Sequence, residues 1–308
     1  MLIVFALLLQ YFRSGLYKAP TPFILGTEAA GTIVALGPDL PSTHHNENDE
    51  SALNVGDPVV TFGRGAFAEF VLAERANVAS IPISHPALDT KTAAAVTLQG
   101  LTALTLLREA YPVQQGDTIL VHAAAGGVGL LLCQLGAHFG ATVIGAVSTE
   151  AKAELVRAHG AKHTIVYGRE EDGYGVVPAE VLRLTGAKGV QAIYDGIGAA
   201  TWEGNFQALA RKGSLVSFGN ASGPVPPFSP LKLAAKNIKL VRPTLYGYLA
   251  TVEETTFWAS QLFGLIRDGA LKVNIHHEYD FTSDGVRQTQ TDITSRGTTG
   301  KLVIKIAP

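Results

Sequence analysis

The stretch Thr118-Ile119-Leu120-Val121-His122-Ala123-Ala124-Ala125-Gly126-Gly127-Val128-Gly129 constrains this chain more than any other. A β-forming run ends in small residues that open directly into a helical pattern over Val128–Phe139. Ala123, Gly126 and Gly129 fall on an A-x-x-G-x-x-G spacing. Such a turn has to be tight, its backbone has to approach a diphosphate, and its helix has to pack close on the strand. The helix start then offers free N–H groups and a partial positive charge to phosphate oxygens. The competing reading is a glycine-rich strand–helix turn with no ligand. The surrounding pattern favours dinucleotide binding.

That pattern is an alternation. After an Ala/Leu-rich helix over Ala93–Arg108, strands are expected at Thr118–His122, Thr142–Val147, Thr164–Val166, Ala192–Tyr194 and Ser214–Phe218. Helices are expected between them at Val128–Phe139, Glu150–His159, Ala179–Leu184 and Thr201–Leu209. Strand–helix alternation at this spacing implies an α/β fold with a doubly wound parallel sheet, covered on both faces. Gly223-Pro224-Val225-Pro226-Pro227-Phe228-Ser229-Pro230 reads as a boundary loop. A helix around Glu253–Arg267 and a last strand at Lys301–Ile306 follow. Residues 24–80 are β-rich, with strand signals at Thr32–Leu36, Val55–Val60 and Gly65–Val71. Pro41 to Glu50 reads as a polar surface loop. Its His44 and His45 do not complete a metal site, because no Cys or second spaced His accompanies them.

Composition narrows the function classes. A net charge of −2, with both signs spread along the chain, gives no basic stripe for a nucleic-acid backbone. The one cysteine, Cys133, cannot form an internal disulfide, and a reducing, cytoplasmic setting is expected. No apolar run reaches the roughly 18–20 residues of a membrane span. Met1–Leu9 is apolar, but no Lys or Arg precedes it and no small-residue cleavage site follows before Tyr11. It is read as a buried strand or helix, or an atypical chain start, rather than a signal peptide.

The tip of the second strand selects the cofactor. Sites for NAD carry Asp or Glu there to hold the ribose 2′-hydroxyl. Here the strand ends Ile144-Gly145-Ala146-Val147-Ser148-Thr149, with no acid. Ser148 and Thr149 offer hydrogen bonds, and Lys152 follows one turn later, which suits the 2′-phosphate of NADPH. Glu150 argues the other way, although at a helix start it also complements the helix dipole. Two readings stand for Lys152: a phosphate ligand or a solvated helix lysine.

Several motifs together resemble a known family. They are Tyr11-Phe12-Arg13-Ser14-Gly15-Leu16-Tyr17, Leu25-Gly26-Thr27-Glu28-Ala29-Ala30-Gly31, Leu98-Gln99-Gly100-Leu101-Thr102-Ala103 and the turn Val121–Leu130. To these add Ser148-Thr149-Glu150-Ala151-Lys152, Tyr194-Asp195-Gly196-Ile197-Gly198, Val216–Gly223, Arg242-Pro243-Thr244-Leu245 and Thr298-Thr299-Gly300-Lys301-Leu302. From Tyr11 onward the chain resembles the soluble NADPH:quinone oxidoreductases, the zeta-crystallin-like, zinc-free branch of the medium-chain dehydrogenases/reductases. The resemblance implies a Rossmann-type NADPH-binding domain over residues 93–241. It implies a β-rich GroES-like catalytic domain formed from residues 1–92 and 242–308, with nicotinamide and substrate in a cleft between the two. Ala125, Gly126, Gly127, Val128 and Gly129 would hold the diphosphate. Ser148, Lys152, Tyr167 and Arg296 would surround the 2′-phosphate, and Ser217, Phe218, Gly219 and Asn220 would line the cofactor. Tyr11 would lie beside nicotinamide and substrate, either steadying a developing oxyanion or forming a wall. A homodimer is implied as well.

The chain departs from this family at its start. Ten residues precede Tyr11, and Ala6-Leu7-Leu8-Leu9-Gln10 stands where relatives carry an Asn-Phe-Ile-Asp-like run. An incomplete GroES-like domain with unpaired sheet edges and exposed apolar surface is expected. One cysteine cannot build a thiolate zinc site, and His122, beside the cofactor turn, is read as packing. Without a Lewis acid, acceptors that need no metal, quinones or activated enones, fit better than alcohols. NADPH:quinone reduction is therefore expected. The rivals are 2-alkenal or enone double-bond reduction, and a catalytically weak NADPH-binding protein with an accessory RNA-binding role.

Overall fold

The computed structural model describes residues 2–5, 8–38, 52–83, 85–168, 173–295 and 297–306. The expected polar loop Pro41–Glu50, with His44 and His45, lies outside the described residues, and so does Arg296. The chain divides into two compact units, one of Met1–Leu101 with Tyr248–Pro308 and one of Thr102–Gly247.

In chain order the first unit begins with β1 (Leu2–Phe5), α1 (Leu8–Arg13), β2 (Ala29–Thr32), β3 (Pro58–Thr61), β4 (Val78–Ser80) and α2 (Thr90–Thr105), which runs on into the second unit. The second unit continues with β5 (Thr118–Val121), α3 (Gly127–His138), β6 (Thr142–Val147), α4 (Glu150–Ala158) and β7 (His163–Val166). Its second half is α5 (Val176–Leu184), β8 (Val190–Asp195), α6 (Trp202–Ala208), β9 (Leu209–Ser217), β10 (Lys239–Val241) and α7 (Leu245–Tyr248). The chain returns to the first unit as α8 (Val252–Arg267), β11 (Ile275–Asp280), α9 (Ser283–Thr294) and β12 (Lys301–Lys305).

The first unit is built on a sheet of order β11-β12-β1-β2-β3-β4. The opening apolar run forms both expected element types. Leu2–Phe5 is a strand wedged antiparallel between β12 and β2, and Leu8–Arg13 is a helix. Leu9 is fully buried against Ala29, Ala66, Tyr279, Leu302 and Ile304. Two strand expectations are corrected. Pairing at Ala29–Thr32 ends before most of Thr32–Leu36. Gly65–Val71 forms no strand: after Phe67 N donates to Leu25 O at 2.8 Å, no ladder follows, and Phe70 and Leu72 are exposed.

At the heart of this unit lies a buried ion pair. The Glu28 carboxylate, just before β2, accepts from Leu98 N in α2 at 2.9 Å and from Lys301 Nζ at the start of β12. Both side chains are at most 2% exposed. Burial raises the Glu28 carboxyl above its ordinary range despite the lysine, and burial lowers Lys301 despite the carboxylate.

The second unit is a fully parallel sheet of order β10-β9-β8-β5-β6-β7. The order reverses between β5 and β8. Right-handed crossovers then put α3 and α4 on one face and α5 and α6 on the other. Leu120, Ile144, Ile165, Ile193 and Leu215 from the strands meet Val177, Val181 and Trp202 from α5 and α6.

Lys301→Met leaves the Glu28 carboxylate buried without its cation, and a loss of about 3–5 kcal/mol is expected. Adding Glu28→Gln, which keeps an acceptor for Leu98 N, should recover part of it. Urea midpoints of the two variants check this.

Candidate cofactor site

The Gly-rich turn sits where the sheet order reverses, at the carboxyl end of β5. The last ladder bond on one side is His122 N to Tyr194 O at 3.0 Å, and Ala124 N bonds Ala146 O on the other side at 3.1 Å. Between them Ala123 adopts φ +47°, a left-handed conformation that costs an alanine about 1–2 kcal/mol. Its carbonyl accepts from Gly126 N at 2.9 Å, which closes the turn.

Gly129 shows why the third glycine is required. A Cβ there would stand 2.4 Å from Ala123 O and 2.8 Å from Ala124 C and Cα. All three are backbone atoms that no side-chain rotation moves. The start of α3 therefore lies directly on the strand end.

That start is also uncapped. Gly126, the N-cap, contributes no side-chain hydrogen bond, and the first helical bond is Leu130 N to Gly126 O. The amides of Gly127, Val128 and Gly129 thus have no intrahelical partner and form the cradle an anion needs. Three other helices are closed by side chains: Thr149 accepts from Lys152 N at the start of α4, Thr251 and Glu254 form a capping box on α8, and Thr282 accepts from Gly285 N on α9, whereas α5 and α6 start without a side-chain cap as α3 does.

The other expected residues of this unit gather on the same sheet edge. Ser148 follows β6 and Tyr167 follows β7. The register Val147↔Val166 sets these ends side by side, and Tyr167 N donates to Val147 O at 3.0 Å. The Tyr167 ring lies against Tyr174 with centroids 4.4 Å apart. Lys152, half-buried, stands in the first turn of α4. Glu150, at the start of α4, is engaged elsewhere: its Oε1 accepts from Arg157 at 2.7 Å, and the same guanidinium donates to Thr164 Oγ1.

Ser217 ends β9, and Phe218, Gly219 and Asn220 form the turn after it. Phe218 N donates to Asp195 O at 2.8 Å. A Cβ on Gly219 would meet Gly196 O at 2.5 Å, so two backbones touch where β8 and β9 end. Arg242 reaches back to donate to Ser217 O at 2.7 Å, and the Asn220 amide, oriented to satisfy its neighbours, accepts from Arg242 Nη2 at 3.0 Å. Residue patterns missed Arg242 as a support of this turn, and missed Asp195 and Asn205 beneath it. Their signal is three-dimensional, since they act on segments distant in sequence. Tyr11 belongs to the first unit, in α1, with its ring edge-on to Tyr17 at 5.1 Å.

A thiolate metal site does not fit these residues. Cys133 is buried in α3, and burial pushes its thiol up to about 12. Among the described residues no group of three His, Cys, Asp or Glu side chains converges as a metal site would require.

The sequence matches the family described as Zinc-binding dehydrogenase over residues 127–261, and the Alcohol dehydrogenase GroES-like domain over residues 8–83. Fold and turn thus define a two-part nucleotide-dependent dehydrogenase class. The chain is 40% identical over 296 residues to a probable quinone oxidoreductase of Schizosaccharomyces pombe, covering 96% of this chain and 83% of that protein. It superposes on the structure of Escherichia coli quinone oxidoreductase complexed with NADPH with a TM-score of 0.88 at 36% identity, covering 98% of this chain and 89% of that one. A 2-haloacrylate reductase of a Burkholderia species is 33% identical over 274 residues, 86% of this chain and 77% of that protein. This chain belongs to the quinone oxidoreductase family.

Gly129→Ala forces apart backbone atoms that cannot yield. A stability loss of about 1–3 kcal/mol is expected, together with at least about ten-fold weaker dinucleotide binding. Thermal unfolding and a fluorescence titration of the variant check both.

Proposed function

We propose that this protein is an NADPH:quinone oxidoreductase that works without metal. The observation that carries this reading is the uncapped start of α3 pressed against the end of β5, at the point where the strand order reverses. When bound there, NADPH supplies a hydride. The amides of Gly127, Val128 and Gly129 take the diphosphate, helped by the positive end of α3. Ser148, Lys152, Tyr167 and Arg296 take the 2′-phosphate. The Glu150–Arg157 ion pair supports this choice, because it turns the Glu150 carboxylate to a cation of its own. Ser217, Phe218, Gly219 and Asn220 line the cofactor after β9, braced by Arg242.

Tyr11 is our candidate for the acceptor side, where its hydroxyl would donate to the oxygen that gains negative charge. A quinone accepts hydride into a conjugated system that spreads the charge over oxygen, so no Lewis acid is required. Reduction of an activated enone is the second reading, favoured by the similarity to 2-haloacrylate reductase. A panel of quinones and enones with purified protein separates the two. The net charge of −2 lends no support to strong RNA binding. Homodimerisation belongs to the same proposal. Among the described residues β10 pairs with β9 alone, which leaves an outer edge for a second copy. A cytoplasmic location is part of the reading too, supported by a single, buried, unbridged cysteine. Among the described residues no helix is long and apolar enough to cross a membrane.

NADPH is expected to bind tighter than NADH. Lys152→Ala should weaken NADPH about ten-fold or more, the scale of one charge-assisted hydrogen bond, and leave NADH within two-fold. Equal loss for both cofactors, read by fluorescence titration, removes the phosphate role. Tyr11→Phe should lower kcat/KM for quinone about ten-fold or more with the NADPH affinity unchanged. An unchanged kcat/KM makes Tyr11 a wall.

A further inference from the structure

Asp195 ends β8 and is 1% exposed. Its carboxylate accepts from Ile197 N at 2.7 Å, Gly198 N at 3.3 Å, Thr201 Oγ1 at 2.7 Å and Asn205 Nδ2 at 2.7 Å. Asn205, also 1% exposed, spends its amide nitrogen on Asp195 and so presents its oxygen outward. That oxygen lies 2.8 Å from His122 Nε2. An amide oxygen only accepts, so Nε2 must carry a proton. In the neutral ring Nδ1 is then a bare lone pair, and it has no partner among the described residues.

The chain of bonds therefore runs in one direction, from His122 through Asn205 to Asp195. It joins the two cofactor-lining turns. Asp195 holds the 217–220 turn through its own carbonyl, bonded to Phe218 N. His122 immediately precedes Ala123, the strained residue of the 123–129 turn. His122 and Asn205 also line a cavity of about 300 Å³. The helix that carries Asn205 is anchored at both ends. Thr201 ties its start to Asp195, and Lys236 Nζ donates to the carbonyls of Phe206, Gln207 and Leu209 at its finish, at 2.7–2.9 Å.

We infer that His122 and Asn205 are positioning residues: with Asp195 they set the diphosphate turn in register with the 217–220 turn, and so tune dinucleotide affinity. The inference rests on the cofactor reading above. It makes the Nε2–H bond, not the presence of a ring, the feature that matters.

The test uses the full chain and titrates NADPH. A glutamine places its amide nitrogen near the Nε2 position of histidine, whereas an asparagine reaches only to Nδ1. His122→Gln is expected to stay within about two-fold of the unaltered protein. His122→Asn and Asn205→Leu are expected to raise the NADPH Kd and KM about ten-fold, the scale of one buried hydrogen bond. With saturating NADPH, kcat should fall less than three-fold and the KM for quinone should not move. A merely structural pair lowers the thermal midpoint and leaves the KM for NADPH alone, and that result overturns the inference. So does a His122→Gln variant as impaired as His122→Asn. Nitrogen-15 NMR of the unaltered protein provides a measurement that depends on no variant folding. Protonation at Nε2 with a bare Nδ1 is expected for His122, and the opposite tautomer overturns the inference. If the unaltered protein binds no NADPH, the cofactor reading itself has failed, which is a separate outcome.

Discussion

The contact between the first turn of α3 and the backbone at Ala123 and Ala124 governs the second unit. Helix and strand meet there with no side chain between them, because Gly129 has none to insert. That approach aims the uncapped amides of Gly127, Val128 and Gly129 past the carboxyl edge of the sheet, the one place where both halves of a doubly wound sheet open together. It also demands the left-handed Ala123. Glycine at that position would remove the strain. An alanine there implies that its neighbours hold the turn, and the bonds of His122 and Ala124 to β8 and β6 do so from both sides.

The parallel half of the molecule was legible because buried parallel strands are continuous apolar runs. Thr142–Val147 came out residue for residue. The strand after α6 was read too short, since it starts at Leu209 and runs through Arg211, Lys212 and Gly213. Arg211 and Lys212 sit in the register shift where β9 bulges against β8, between the pairs Val190↔Leu209 and Ala192↔Ser214, with Lys212 at φ +67°. The first unit was harder. In β11 the segment Ile275-His276-His277-Glu278-Tyr279-Asp280 buries only Tyr279, so no apolar alternation marks it. The helix α9 lays only a sparse stripe on the core, Val286, Thr289 and Ile293, within an otherwise polar sequence. Conversely, Gly65–Val71 alternates like a strand, yet it finds no ladder partner. Periodicity reports what a segment can do; pairing is decided by what lies beside it.

The site residues divide along the same line. Glycines required by close backbone approach were visible, because their spacing is the geometry. Supports that act through space were not: Arg242 on Ser217, Asn205 on His122, Lys301 on Glu28. Each joins residues at least 25 positions apart. The two buried ones, Asn205 on His122 and Lys301 on Glu28, stand where hydrocarbon would pack at lower electrostatic cost. In the Glu28–Lys301 pair, burial moves both groups toward their neutral forms despite their contact, so the pair specifies an arrangement more than it adds stability. It tells β2, α2 and β12 where to meet.

Cofactor choice shows how an absent residue and a present one combine. The tip of β6 lacks the acid that would hold a ribose hydroxyl, and Glu150 stands two residues beyond Ser148. Its carboxylate runs along α4 to Arg157, which is fixed in turn by Thr164 on β7. The pair is well exposed, so its contribution to stability is small. Its effect is on charge: the acid at the start of α4 is matched by a cation of its own. On the proposed reading, selectivity for the phosphorylated nucleotide rests on the orientation of that carboxylate as much as on Lys152.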